Sequence, residues 1–312
     1  MRAVSSSASW PELPYEQWEP TKQTLHRYAQ IVGKIRMALT PSQNHWWHVT
    51  LYVTERGLTT GPMPHDGRDV TVNLDLLDHR VRVRASDGSR AGFELSHRPA
   101  CADFYADLFG ALDKVGVSVD IHPQPFDLGD SPPLDRDRTN ASYDADAVER
   151  YWRILAATQR VLDRFRGSFV GKASPVHVFW HSFDLAHARY SGRPAPQAEG
   201  VDPVSAEAYS HEVIAFGFWP GDDRTTPYPA FYSYTAPEPD GLSDQPLSVA
   251  DAQWQDTGNG SLAVLPYDSM RNSPDPDQTL LQFFEDAYSA GATTAGWGLE
   301  EFAREGGSTP SA

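Results

Sequence analysis

The densest group of chemically reactive side chains lies within residues 172–193. Alternation along a strand predicted at residues 176–185 places Ser182 and Asp184 on the same face, roughly 6.6 Å apart. A carboxylate next to a hydroxyl, within reach of an imidazole, can transfer protons to and from a bound molecule. This pair is therefore the first candidate for a catalytic centre.

The neighbouring strands carry the groups that would complete such a centre. If the next predicted strand pairs with the first, His211 or Glu212 approaches Asp184 and provides a base. A third strand brings the hydroxyl of Tyr232 or Tyr234 to the same place. We therefore expect acid/base chemistry by Asp184 together with His211 or Glu212.

Two arginines offer a site for an anion. Arg189 and Arg193 lie near the end of the strand that carries Asp184, beside Gly192 in a predicted loop. Guanidinium groups bind carboxylates or phosphates through two parallel hydrogen bonds. The expected substrate is therefore a small anionic or polar metabolite.

A non-catalytic role is the alternative interpretation, because aromatic side chains cluster in the same strands. Trp180 and its aromatic neighbours would then line a dry pocket in a small-molecule binding or sensor protein. A flat apolar surface would instead indicate a scaffold that binds a partner protein. The sequence does not decide between an enzyme and these alternatives.

Neither a metal nor a nucleotide cofactor is expected. His177 and His181 would lie roughly 13 Å apart along one strand, too far to share an ion. His45 and His48 point to opposite faces of their predicted strand. The sequence also contains no glycine-rich phosphate loop and no HExxH helix. The hypothesis is thus a reaction without a cofactor.

Helices with apolar residues at helical spacing must position these strands. They are predicted at residues 21–39, about 100–115, 145 to about 166, and after residue 275. In the last of them, Asp275 is the expected N-cap and Pro276 the first helical residue. Gly291 is expected to end this helix.

Strands are predicted where apolar and polar residues alternate. They cover residues 47–54, 70–76, 81–83, 93–95 and 117–121 in the first half, and 176–185, 212–219, 230–234 and 262–265 in the second. The predicted fold class is α+β. We expect two similar α-β4-α halves, a degenerate duplication, with one or two antiparallel sheets and helices packed on one side.

The two halves meet at a stretch rich in proline and aspartate, which cannot pack a core. The predicted organisation is an N-terminal α+β half at residues 10–122, a connection at 123–144, a C-terminal α+β half at 145–300, and a disordered tail at 301–312. Long loops, including one at residues 191–210, are expected to line a binding site, to cover one, or to be simply mobile.

Composition limits the classes of partner. The 42 acidic and 26 basic residues give a net charge of −16, which would repel the phosphate backbone of nucleic acid. Apolar stretches are far shorter than the roughly 20 residues of a membrane helix, and no secretory signal is expected. The single cysteine, Cys101, permits no internal disulfide. We expect a soluble, cytoplasmic protein whose possible partner is a small molecule, without nucleic acid or membrane; its oligomeric state is not readable from sequence.

Short motifs mark the chain as a member of a larger group. They include His45-Trp46-Trp47, Ser182-Phe183-Asp184-Leu185, Ser191-Gly192-Arg193 and Ser210-His211-Glu212. These motifs resemble a large bacterial family catalogued as a domain of unknown function. The resemblance covers about residues 10–297, which implies a bacterial origin and one family unit across both halves. It does not identify catalytic residues, because none is established for the family.

Overall fold

The computed structural model describes residues 10–97, 99–129, 131–197, 199–223 and 226–304. Its helices are α1 (Tyr15–Leu39), α2 (Cys101–Lys114), α3 (Ala145–Gly167), α4 (Pro203–Ala208), α5 (Tyr267–Arg271), α6 (Pro276–Thr294) and α7 (Leu299–Phe302). Its strands are β1 (Tyr52–Thr54), β2 (Gly57–Thr59), β3 (Met63–His65), β4 (Arg68–Asp75), β5 (Arg80–Ala85), β6 (Arg90–Glu94), β7 (His177–Phe179), β8 (Asp184–Pro194), β9 (His211–Trp219), β10 (Ala230–Ala236), β11 (Gln253–Asp256) and β12 (Ser261–Pro266). The α+β class is confirmed.

The helices predicted from apolar spacing are all present, although α1 begins earlier than predicted. Side-chain caps fix two of their starts. The Asp144 carboxylate accepts hydrogen bonds from the backbone N–H groups of Asp146 and Ala147 at the start of α3. Asp275 caps α6 as predicted, because its carboxylate accepts from the N–H of Gln278.

Gly291 does not end α6, contrary to the prediction. The helix continues to Thr294, and Gly291 lies where it crosses the sheet. A Cβ atom at this position would lie 2.3 Å from Oγ1 of Thr235 and 3.0 Å from Cδ1 of Ile214. The glycine therefore permits a close approach of α6 to β9 and β10.

Both sheets are antiparallel. The N-terminal sheet has the order β1-β2-β4-β5-β6, with β3 paired to β4, and the C-terminal sheet has the order β11-β12-β10-β9-β8-β7. The sheets meet edge to edge through an isolated bridge, in which Leu51 and Val178 exchange backbone hydrogen bonds of 2.9 and 2.7 Å. The halves thus form two joined sheets, and their duplication stays a prediction.

The prediction of one long strand that carries Asp184 is wrong, because the structure has two strands joined by a turn. β7 ends at Phe179, β8 begins at Asp184, and the Phe183 N–H donates a 2.7 Å hydrogen bond to the Phe179 carbonyl. Phe183 has a φ of 63°, which reverses the chain. His177 therefore pairs with Ala186 and faces the same side as Asp184, not the opposite side.

Several other boundaries that were predicted for strands and loops are also wrong. Residues 47–50 form turns, so only a short strand remains from the first predicted one, and residues 117–121 contain no strand. β2, β3 and β11 were not predicted. Both β8 and α4 extend into the stretch predicted as a loop at residues 191–210.

The two faces of the C-terminal sheet are covered differently. On one face, Phe165 of α3, Phe216 of β9 and Phe284 of α6 pack with ring centroids 4.8, 5.7 and 5.9 Å apart. The helices α3 and α6 thus cover this face, as expected for helices on one side of a sheet. The opposite face is left for other elements to cover.

The chain ends complete the description. α7 includes residues 301 and 302 of the expected tail, and Ala303 forms a bridge with Phe169. Residues 305–312 of that prediction, and residues 1–9, lie outside the described residues. Among the helices that are described, none combines the length and the apolarity needed to cross a bilayer.

Substitution of Gly291 tests the close packing of α6. We expect Gly291→Ala to lower the free energy of unfolding by about 1–3 kcal/mol, because the added methyl overlaps Thr235. Gly110 of α2 is a matched control, since no atom lies within 4 Å of a Cβ built there. Gly110→Ala should instead stabilise by about 0.5–1 kcal/mol. Urea unfolding measures both, and equal effects would contradict the packing role.

Candidate functional site

A cavity of about 590 Å³ lies on the face of the C-terminal sheet opposite to α3 and α6. Side chains alternate along a strand, so Asp184, Ala186 and Ala188 of β8 face the cavity while Leu185 faces the helices. The cavity exists because Ala186, Ala188 and Ala215 of β9 are too small to fill this face. Its volume is that of a typical small-molecule site.

Both halves of the chain form the cavity walls. The contributing residues are Lys34 and Met37 of α1, His45 and Trp47 of the turn before β1, Phe126 of the connection, and Val204 and Tyr209 at α4. Gln30 of α1 fixes the connection: its side-chain amide accepts a 2.8 Å hydrogen bond from the Phe126 N–H and donates one of 2.9 Å to the Phe126 carbonyl. This part of residues 123–144 is therefore a wall of the cavity.

Asp184 is the polar centre of the cavity. The hydroxyls of Ser182 and Tyr232 each donate a hydrogen bond to a different oxygen of its carboxylate. Asp184 is only 5% exposed, so these hydroxyls replace the water that stabilises a surface carboxylate. Gly217 makes room for the phenol, because a Cβ there would lie 2.5 Å from the Tyr232 hydroxyl oxygen and 2.4 Å from the Leu185 carbonyl oxygen.

Further tyrosines adjoin this centre. The rings of Tyr232 and Tyr234 stack with centroids 6.2 Å apart, and the hydroxyls of Tyr234 and Tyr209 are 3.1 Å apart. Burial, and then the negative charge of Asp184, raise the pKa of Tyr232 well above its ordinary value. Tyr232 is therefore a protonated hydrogen-bond donor at neutral pH.

His181 lies in the turn between β7 and β8 and also lines the cavity. Burial lowers the pKa of its imidazole, and the nearby carboxylates of Asp184 and Asp127 oppose this effect. The ring of Phe126 contacts it edge-on, with centroids 5.7 Å apart. An imidazole therefore lies near Asp184, but it belongs to His181 and not to His211, which was predicted from sequence.

A second polar group lies in the turn before β1. His45 Nδ1 is 3.2 Å from the carbonyl of Ala208, which can only accept, so Nδ1 carries the proton. Nε2 then accepts a 2.6 Å hydrogen bond from the Lys172 ammonium. Burial, and then the charge of Lys172, lower the pKa of His45. His45 and Trp46 have φ values of 54° and 60°, a costly backbone conformation that is found most often at functional sites.

Lys34 places a cation in the cavity wall. Its ammonium lies 5.6 Å from the centroid of the Trp180 ring, and both side chains line the cavity. Lys34 is 7% exposed, and burial lowers its pKa. Trp180 packs directly on α1, because a Cβ at Gly33 would lie 2.0 Å from its Cδ1 atom.

Comparison with known families assigns the chain. A family model described as a family of unknown function, DUF5996, matches residues 10–304, which include both halves and every wall of the cavity. The chain belongs to the DUF5996 family. The expectation of a family of unknown function is thereby confirmed. No curated protein and no solved structure matches the chain.

The DUF5996 cavity brings together part of the centre predicted from sequence. Asp184, Ser182 and Tyr232 are in direct hydrogen-bond contact. Tyr234 and Trp180 also line the cavity. The shared face explains why Asp184 meets Tyr232 and Tyr234, since β8 and β10 both pair with β9 and direct alternate residues to the cavity. Ser182 and Trp180 reach the cavity from the turn before β8.

His211 and Glu212 do not approach this centre. His211 pairs with Pro194, at the end of β8 that is roughly 30 Å from Asp184 at the usual rise of a strand. The Glu212 carboxylate accepts a 2.8 Å hydrogen bond from Nε of Arg193 and forms an ion pair with its Nη2 at 2.6 Å. The acid/base pair expected between Asp184 and these two residues is therefore not formed.

The two arginines do not form a joint anion site. Arg189 is 1% exposed and lies on the helix side, with its guanidinium carbon 3.4 Å from the centroid of the Phe165 ring. It donates hydrogen bonds of 2.5 and 3.1 Å to the Phe165 carbonyl and to Oγ of Ser168, at the end of α3. Arg193 is occupied by Glu212. Both guanidinium groups thus hold elements of the fold together.

The histidines of this family member do not gather around a metal position. Within the residues that the structure describes, no three His, Cys, Asp or Glu side chains are grouped to hold an ion. His177 faces the cavity, and its Nδ1 has no hydrogen-bond partner there. Burial and the charge of Arg36 lower the pKa of His177 to about 3. It is therefore a neutral imidazole.

Buried histidines predict a pH dependence of stability. His26, His177 and His187 have a pKa of about 3 in the folded chain, against 6.5 for a free imidazole. As the pH falls from 6.5 towards 3, the unfolded chain gains protons that the folded chain does not, so stability is lost. Each histidine contributes about 1.4 kcal/mol per pH unit.

The test is urea unfolding at several pH values between 4 and 7. His177→Gln should reduce the slope of stability against pH by the contribution of one histidine. His122 is exposed, so His122→Gln is a matched control that removes no buried imidazole. Equal slopes for the wild type and His177→Gln would contradict the burial of a neutral imidazole.

Proposed function

We propose that this protein binds a small organic molecule in the cavity over its C-terminal sheet. The observation that carries the proposal is the buried Asp184 carboxylate at the centre of an otherwise largely aromatic and aliphatic cavity of about 590 Å³. Ligand sites have this composition, because apolar walls supply affinity while a few fixed polar groups set orientation.

The hydroxyls on Asp184 define what the site offers a ligand. Each carboxylate oxygen accepts one hydrogen bond from the protein, from Ser182 or from Tyr232, and retains capacity for another. The two hydroxyl oxygens can also accept. This cluster therefore favours a ligand that carries a hydrogen-bond donor, such as a hydroxyl or an amino group.

The shape of the site favours a small molecule over a partner protein. A scaffold would present a flat apolar surface. Here the polar centre lies beneath walls from α1, the connection and α4. A molecule of metabolite size can reach Asp184, and the surface of a folded protein cannot.

A thermal-shift screen of polar and anionic metabolites, with and without chelator, tests the binding function. A ligand of the folded state raises the melting temperature by mass action. The matched variant is Ala188→Leu, which fills the cavity floor. Hits should stabilise the wild type and lose at least about 10-fold in affinity with the variant, a difference of about 1.4 kcal/mol. Hits that stabilise both proteins equally would place binding outside the cavity and contradict the proposal.

Catalysis is a second candidate function. His181 lies close enough to Asp184 for the carboxylate charge to act on its pKa, and both line the same cavity. An imidazole and a carboxylate beside a bound molecule can move protons to and from it, so an acid/base reaction without a nucleotide cofactor remains a proposal.

The two candidate functions differ in what happens to a bound molecule. Hits from the screen are incubated with the protein in deuterated water and followed by NMR for conversion or for exchange of carbon-bound protons. An enzyme should lose at least about 100-fold in rate on Asp184→Asn. Glu212→Gln changes a carboxylate outside the cavity and should retain the rate. Unchanged hits at equimolar protein would identify a binding protein.

A further inference from the structure

The Lys34 ammonium is a buried charge that lacks a counter-charge. Within the described part of the chain, no carboxylate lies at ion-pair distance from it, whereas buried Arg27 on the same helix pairs with Asp137 at 3.0 Å. The effect of burial on the Lys34 pKa has no opposing contribution from a nearby acid. A buried ammonium without a partner is costly, and the contact with the Trp180 ring offsets only part of this cost.

Two further cations, which do not themselves line the cavity, lie near histidines of its wall. Arg36, two residues along α1, is 6% exposed and acts on the neighbouring imidazole of His177. Lys172 acts in the same way on His45. The field is local, since the chain as a whole carries a net charge of −16. A negatively charged group would therefore be attracted to this wall.

The mouth of the cavity is apolar. Of the 6 large hydrophobic side chains that are exposed in the described residues, 4 line this cavity: Met37, Phe126, Val204 and Tyr209, at 39–47% exposure. Met37 lies one helical turn beyond Lys34 on α1. An occupant that covers these side chains must itself be apolar over much of its surface.

We propose that the ligand of this cavity is a monocarboxylate with an apolar or aromatic body, and that Lys34 binds its carboxylate. This inference rests on the proposed binding function. The ammonium of Lys34 matches the one negative charge of the ligand, while a hydroxyl or amino group on its body would donate to the Asp184 carboxylate in the same cavity. Arg189 and Arg193, whose paired guanidinium groups would suit a phosphate, are both engaged elsewhere. The apolar body lies against the aromatic walls and covers the mouth.

The probes are 4-(4-hydroxyphenyl)butyrate and its methyl ester, which share the aromatic body and the hydroxyl donor for Asp184 and differ in charge. Isothermal titration of the wild type should show at least about 10-fold tighter binding of the carboxylate, a difference of about 1.4 kcal/mol. Lys34→Met should abolish this preference, weakening the binding of the carboxylate by at least about 10-fold and that of the ester by much less. Lys114 of α2 is exposed, so Lys114→Met is a matched control that should retain the preference.

A second measurement does not depend on the probe. Removal of a buried cation without a counter-charge should stabilise the empty protein, so Lys34→Met should raise its melting temperature by a few degrees. Lys114→Met should leave it within about one degree. A lowered melting temperature for Lys34→Met would show that the ammonium is already compensated in the fold, which overturns the inference.

The outcomes separate this inference from the function beneath it. If both probes bind equally to the wild type and Ala188→Leu weakens both, the cavity is a binding site and the carboxylate assignment is wrong. If neither probe binds more weakly to Ala188→Leu than to the wild type, the cavity is not the binding site, and both proposals are contradicted.

Discussion

Pairing between β8 and β9 sets small residues opposite one another on a single face of the C-terminal sheet. Ala186 pairs with Gly217, and Ala188 pairs with Ala215. Because side chains alternate, the same pairing directs large residues such as Phe216 to the helices. A shift of one residue would exchange the two faces, filling the cavity with aromatic rings and leaving α3 and α6 nothing to pack against. The core and the cavity therefore depend on one register.

The polar face of α1 explains how the remaining walls are held. Arg27 bonds with Asp137, and Gln30 bonds with the backbone of Phe126, so two buried side chains fix the connection between the halves. Buried polar groups are tolerated when each has a partner. Along the same face, Lys34 differs because no carboxylate of the described residues lies at ion-pair distance from it, and its ammonium instead lies over the Trp180 ring.

Local patterns predicted the helices well, because apolar spacing and caps such as Asp275 act within a few residues. The contact between Asp184 and Tyr232 was also accessible, since it follows from strand alternation and pairing through β9. The contact between Ser182 and Asp184 was predicted for the wrong reason, because Ser182 lies in a turn and not on the strand. The turn before Asp184 was not accessible from sequence, because aromatic residues continue through it without a glycine or proline. The burial of the polar face of α1 could not be predicted from sequence either. A lysine such as Lys34 is typical of a solvent-exposed helix position, and only the tertiary packing buries it.

Through the bridge between Leu51 and Val178, each half of the chain covers a strand edge of the other half. β7 is the last strand of its sheet, and on its outer side it is covered by the segment that leads into β1. A fragment that started after the connection would present an uncovered strand edge to the solvent, and such edges recruit other chains. Proteolytic cleavage between the halves would thus leave two fragments that are prone to aggregate. This gives selection a reason to keep both halves in one polypeptide.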